Sequence, residues 1–125
     1  EEIKFYTSEE VLKITLINLL NNAVDALETV EKEEKWIKCR VIVDNNELRV
    51  DVIDNGPGIS EENAESVFLP FFTTQDYGTG LGLYTVSSEI DNLGGTIQLN
   101  SEWKEGAHFI VRLPKTESKR GGEIG

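Results

Sequence analysis

At 125 residues the chain is the size of one domain, and its 38% hydrophobic content, laid out in periodic segments, excludes a disordered polymer. Twelve basic against twenty-three acidic residues leave a formal charge of −11, which disfavours nucleic-acid backbones and anionic membrane surfaces as partners. No apolar run approaches the ~20 residues that cross a bilayer, and the single cysteine excludes an internal disulfide and fits a reducing, cytoplasmic setting.

Methionine is absent and the chain opens at Glu1 with no targeting segment, which reads as a piece of a longer protein. Residues 3–6 are short, alternating and aromatic, as in an edge strand. From Ser8, a plausible N-cap followed by Glu9 and Glu10, apolar residues from Val11 to Leu27 recur with helical spacing. A long helix to about Val30 is predicted.

The charged stretch 31–35 reads as a solvated turn. Residues 36–44 and 47–55 are alternating, β-branched segments joined through two asparagines, the pattern of a hairpin, with Cys39 read as a small core residue. A short helix is predicted over 60–68 behind Ser60, then a loop over 69–79 that contains Pro70. A second long helix over 81–93 presents Leu83, Val86, Ile90 and Leu93 on one face and stops at Gly94-Gly95. Strands over 96–101 and 107–114 close the domain, leaving 115–125 as a polar, Gly-rich tail. With no repeated strand–helix–strand unit, the order points to an α+β two-layer sandwich.

Three polar clusters stand out against this apolar frame. Asn18, Asn22 and Asp25 are four and then three residues apart in the most apolar helix, so they project from one face. An asparagine there can offer a neutral oxygen to a hard cation, or it can satisfy loop backbone groups. Asp54 opens "DNGPGI", where Gly56 and Gly58 permit a tight path and the carboxylate can accept from an amino group; an ordinary turn has the same composition. In "GTGLGL", residues 78–83, glycines open a helix whose unpaired N–H groups favour an anion, although neither the dinucleotide nor the P-loop spacing is present. An acidic chain that binds a polyanion must concentrate its attraction in such places or in a metal ion.

Together and in this order, the clusters resemble the ATP-binding family that groups sensor histidine kinases with DNA gyrase, Hsp90 and the mismatch-repair ATPases. "NLLNNAVDAL" resembles its N box, "DNGPGI" the G1 box, "VFLPFFTT" the F box and "GTGLGL" the G2 box. The F box and the "GAHFIVRLP" ending are similar to the catalytic domain of histidine kinases, and the likeness spans residues 3–114. It implies the Bergerat fold, a mixed sheet of about five strands covered on one face by about three helices.

By this resemblance Asp54 would accept the adenine amino group, Gly56, Gly58 and Ile59 would border the base, and Asn22 would hold Mg²⁺ on the phosphates, supported by Asn18. Asp25 would lie near the nucleotide. Gly78, Thr79, Gly80, Leu81, Gly82 and Leu83 would cradle the phosphates, and a short lid over 71–79 would contribute Phe71 and Thr74, as in the nitrogen-regulator-like kinases. The activity implied is transfer of the γ-phosphoryl group of Mg-ATP to a histidine on a separate dimerisation domain of the same parent, with a response-regulator receiver domain downstream. Water-splitting members carry a glutamate one turn before the metal asparagine, where this chain has Asn18, whose amide is no base at neutral pH.

Departures keep other readings open. Lysines common in the family are replaced by Asp25 and Gln75, and Ala107 stands where a threonine often assists adenine binding. An ATP-binding regulatory domain without efficient transfer is one alternative, and an anti-sigma-type serine kinase another, against which Asn18 counts. His108 falls inside a strand and is expected to be structural. Trp36 and Trp103 read as packing residues. Phe68, Phe71 and Phe72 suit either packing or docking of a helical partner.

Overall fold

A computed structural model describes residues 4–44, 46–70, 72 and 82–115. Helix α1 (Glu9–Glu28) starts where Ser8 leaves the helical region and its hydroxyl accepts the Val11 N–H at 3.3 Å. Glu9 and Glu10 occupy its positive end, and Val11, Thr15, Leu19, Ala23 and Leu27 form a buried stripe at four-residue spacing. Its exposed side carries two large apolar residues, Ile17 and Val24, so the helix is not buried all round.

Strands β1 (Ile37–Val43), β2 (Glu47–Asp54), β3 (Thr96–Leu99) and β4 (His108–Pro114) make a sheet of order β1-β2-β4-β3. Every neighbouring pair is antiparallel, so the described sheet has four strands and no parallel member, not the mixed sheet of about five that was expected. Residues 4–6 form no strand; Phe5 packs instead against the core.

Alternation along the strands decides which side is buried. Leu48, Val50 and Val52 of β2 face the helices with their register partners Leu113, Val111 and Phe109 of β4. Helix α2 (Gly82–Asn92) adds Val86 and Ile90, both fully buried, beside α1. Its end is closed by the Gly95 N–H, which reaches back to Ile90 O at 2.9 Å. Two α-helices on one face of the sheet confirm the two-layer α+β arrangement.

The segment 60–68 is not an α-helix. Its turns close mainly through i→i+3 bonds, such as Asn63 to Ser60 and Ala64 to Glu61, with one i→i+4 bond from Val67 to Asn63, and end in the 3-10 turn Ser66–Phe68, because so few residues before Pro70 cannot offset the cost of nucleating an α-helix. Phe68 packs edge-on to Phe109 at 6.1 Å, which assigns it to the core. Cys39 is exposed, contrary to expectation: it lies on edge strand β1, which the helix layer barely reaches.

The opposite face of the sheet hides a charge. Asp51 is fully buried, and Arg49 grips it with Nε and Nη2 at 3.0 Å each. His108 Nε2 meets it at 2.6 Å, and Arg40 stands 3.8 Å away. Burial pushes the Asp51 carboxyl upward, but the hydrogen bonds from Arg49 and His108 outweigh it and hold the group below its ordinary range. Asn100 Nδ2 donates to His108 Nδ1 at 3.1 Å, leaving Nε2 to carry the proton toward Asp51. Both ring nitrogens of His108 are engaged inside the fold, as a structural residue requires.

Candidate functional site

Strand β2 delivers Asp54 at its last residue, 2% exposed, where the ladder gives way to the turn that follows. One carboxylate oxygen, Oδ1, accepts two backbone N–H groups, from Gly56 at 2.8 Å and Ala107 at 3.2 Å. The Asp54 amide donates to Ala107 O at 2.9 Å, and its carbonyl accepts the Trp103 indole N–H at 3.2 Å. The other oxygen, Oδ2, has no hydrogen-bond partner among the described residues. A buried carboxylate fixed on one side and open on the other is an acceptor aimed at something else.

The turn beyond it is shaped by glycine. Gly58 adopts φ 77°, a region that side chains strain to enter, and lies against the Gly106 backbone. A Cβ on Gly106 would stand 2.0 Å from Asp54 O, so the β3–β4 turn can approach Asp54 only with glycine there. Gly56 is buried between Asp54 and the Ala26 and Leu27 side chains of α1. Asn55 ties the turn to the segment before β1: its Oδ1 accepts the Trp36 N–H at 2.9 Å, its Nδ2 donates to Glu34 O at 3.0 Å, and Lys32 Nζ donates to its carbonyl.

On α1, Asn18, Asn22 and Asp25 are all half-buried on one face. Asn18 Nδ2 donates back to Ile14 O at 2.8 Å, which turns its oxygen away from its own helix. That oxygen meets the start of α2, where a Cβ on Gly82 would lie 2.9 Å from it. The N-terminus of α2, with its unpaired N–H groups, therefore abuts the polar face of α1. Leu83 packs partly against the core. The side chains of Asn22 and Asp25 make no hydrogen bond among the described residues.

Three of the sequence clusters thus converge: α1 touches the turn after β2 through Gly56 and touches α2 through Asn18. Phe71, Thr74, Gln75, Gly78, Thr79, Gly80 and Leu81 lie outside the described residues. A cleft of about 320 Å³ adjoins the Asp54 turn, lined in part by Gly58, Ile59, Leu99, Trp103 and Gly106. Neither Asn22 nor Gly82 borders it, so it flanks the turn rather than the polar face of α1. Among the described residues no three His, Cys, Asp or Glu side chains gather to hold a metal.

Residues 7–117 match the family of histidine kinase-, DNA gyrase B- and HSP90-like ATPases. The chain belongs to this family. Sensor protein CitS of Halalkalibacterium halodurans is 39% identical to this ATPase-family domain over 116 residues, 90% of this chain and 21% of its own. Sensor histidine kinase ZraS of Escherichia coli K12 is 34% identical over 99 residues, 79% of this chain and 20% of its own. The domain spans about a fifth of the length of the curated relatives it matches, which are sensor kinases. Among solved structures, the nucleotide-free catalytic domain of histidine kinase ThkA superposes with a TM-score of 0.76 at 38% identity, over 92% of this chain and 74% of that one. Full-length ShkA in complex with AMPPNP gives 0.70 at 27% identity, over 86% of this chain and 22% of that one.

The sequence reading singled out Asp54 and the α1 asparagines and took Trp103 for a packing residue only, whereas its indole reaches the Asp54 backbone across 49 positions. Tryptophan in a hairpin carries no local mark of such a contact. Ala107, read as a departure, supplies its backbone N–H to the carboxylate.

Proposed function

We propose that this domain binds Mg-ATP between α1, the turn after β2 and the start of α2, and donates the γ-phosphoryl group to a histidine on a separate dimerisation domain of its parent. The observation that carries the reading is Asp54: buried, fastened through Oδ1 by two N–H donors, and open at Oδ2. An exocyclic amino group is the complement of such an acceptor, and adenine presents one. The AMPPNP bound in ShkA is an adenine nucleotide of the kind this geometry would accept.

In this reading Gly56, Gly58 and Ile59 border the base, and Asn22 offers its amide oxygen to Mg²⁺. The cation would offset phosphate charge near a chain of net charge −11. The α2 N-terminus and the glycine-rich residues before it receive the phosphates, with Asn18 orienting Gly82. Phe71, Thr74, Gly78, Thr79, Gly80, Leu81 and Leu83 complete the assignment as proposals from the family resemblance. Asn18, where water-splitting relatives carry a glutamate, is an amide and no base at neutral pH, and a neutral imidazole from the partner domain needs none. The work of the domain is to hold ATP for in-line approach. A receiver domain would take the phosphate onward, and the domain would act in the cytoplasm; no helix among the described residues is long and apolar enough to cross a membrane.

The test mixes this chain with a separately prepared dimerisation domain and ATP labelled at the γ-phosphate. Acid-labile, alkali-stable label on the partner is the expected result. Nucleotide binding without transfer to any histidine-bearing partner would favour a regulatory ATP-binding domain, and acid-stable label would favour a serine kinase.

A further inference from the structure

We propose that Trp103 is a positioning residue for base recognition: its indole N–H holds the Asp54 backbone so that the open carboxylate oxygen faces the purine. The proposal rests on the reading of Asp54 as the adenine acceptor. Asp54 ends β2, and a buried carbonyl at a strand end needs a donor. Trp103 supplies it at 3.2 Å from the far turn of the sheet. An indole is a donor only, so this nitrogen has no competing role as an acceptor.

The direction of that N–H is set by packing. Trp103 meets Trp36 edge-on, with centroids 6.2 Å apart and planes at 61°, and its ring lines the cleft beside Ile59 and Leu99. The Trp36 backbone N–H binds Asn55 Oδ1 at 2.9 Å, so the two members of the ring pair fasten consecutive residues, Asp54 and Asn55. Ala107 fixes the Asp54 carboxylate from the same turn that carries Trp103. Side chain and main chain of Asp54 are thus held from one direction. Removing the indole N–H releases the main-chain half of this grip while the carboxylate itself remains.

Trp103→Phe keeps an aromatic ring and deletes only the donor. Binding of Mg-ATP and of the inosine analogue, which carries a carbonyl in place of the amino group, is measured by titration calorimetry on wild type, Trp103→Phe, Asp54→Asn and the double variant. The expected result is a loss of about three- to tenfold in ATP affinity for Trp103→Phe, the scale of one buried hydrogen bond, with the inosine nucleotide changed less than about twofold. On the Asp54→Asn background the same substitution should cost ATP nothing further. Equal losses for both nucleotides, or no loss for either, would overturn the role of Trp103 while Asp54 still discriminates between them. Wild type binding both nucleotides alike, with Asp54→Asn also neutral, would remove the adenine reading itself and this proposal with it. A readout that leaves Trp103 in place uses Trp36→Phe, in which Trp103 holds the one indole: its ¹⁵N–H resonance should shift more with ATP than with the inosine nucleotide. An unmoved resonance at saturating ATP refutes the proposal.

Discussion

Gly106→Ala is the sharpest steric probe of the site. The added Cβ would stand 2.0 Å from Asp54 O, 2.7 Å from Asp54 C and 2.9 Å from Asn55 Cα. Ordinary contact begins near 3.4 Å, so the two segments must separate by more than 1 Å, and all three obstacles are backbone, which no rotamer change can move aside. Separation on that scale stretches the Trp103 and Ala107 bonds to Asp54, now 3.2 Å each, beyond hydrogen-bonding range. Overpacking costs ~1–3 kcal/mol, and each lost bond adds on the order of 1 kcal/mol, so a destabilisation of about 3 kcal/mol is expected. For a domain of this size that lowers Tm by roughly 10 °C in a thermal scan followed by far-UV circular dichroism. ATP affinity, measured below the transition, should fall on the order of tenfold or more because the proposed base acceptor has moved. A variant with Tm within 2 °C of wild type, as roughly 0.5 kcal/mol would give, and with undiminished ATP affinity would show that the turn does not set the position of Asp54.

Asn22→Ala should abolish the Mg²⁺-dependent part of ATP binding while leaving the fold intact, since its side chain has no hydrogen-bond partner among the described residues; unchanged affinity by calorimetry refutes the metal assignment. Thr15 is fully buried and its hydroxyl has no partner among the described residues, so the isosteric Thr15→Val should raise stability by about 1 kcal/mol, seen as a higher urea midpoint at constant slope. Asp51→Asn should cost about 3 kcal/mol at pH 7 by leaving Arg49 without its carboxylate. Because the folded carboxyl titrates below its ordinary value of 3.8, its stabilisation is full above that pH and is lost as pH falls through the lowered value. The gap between wild type and Asp51→Asn in urea midpoint should therefore narrow toward pH 3, and a constant gap would contradict the charge network.

What could be read from the sequence follows the range of the interactions. Helix α1 was legible because its cap and its four-residue stripe are local, and the β1–β2 hairpin because alternation is local too. Asp54, Gly56 and Gly58 were legible because the chemistry of that turn is written in six consecutive residues. The exposure of Cys39 was not, since an edge strand and a central strand alternate alike and only the sheet order β1-β2-β4-β3 tells them apart. Residues 3–6 carry a strand-like pattern, yet residues 4–6 form no strand and Phe5 packs against the core instead. Trp103, Gly106 and the buried Asp51–His108 pair join positions about fifty apart, and nothing in either neighbourhood announces the other.

Strand β2 is paired along its length on both sides, to β1 and to β4. Such a central strand opens to solvent only when the sheet as a whole comes apart, so its amide protons belong to the slowest-exchanging set in the domain. Asp54 is the last residue of that strand, and its own amide is held by Ala107. The acceptor proposed to read the base therefore sits on the part of the molecule least able to breathe, and its recognition is paid for during folding rather than at each encounter with nucleotide.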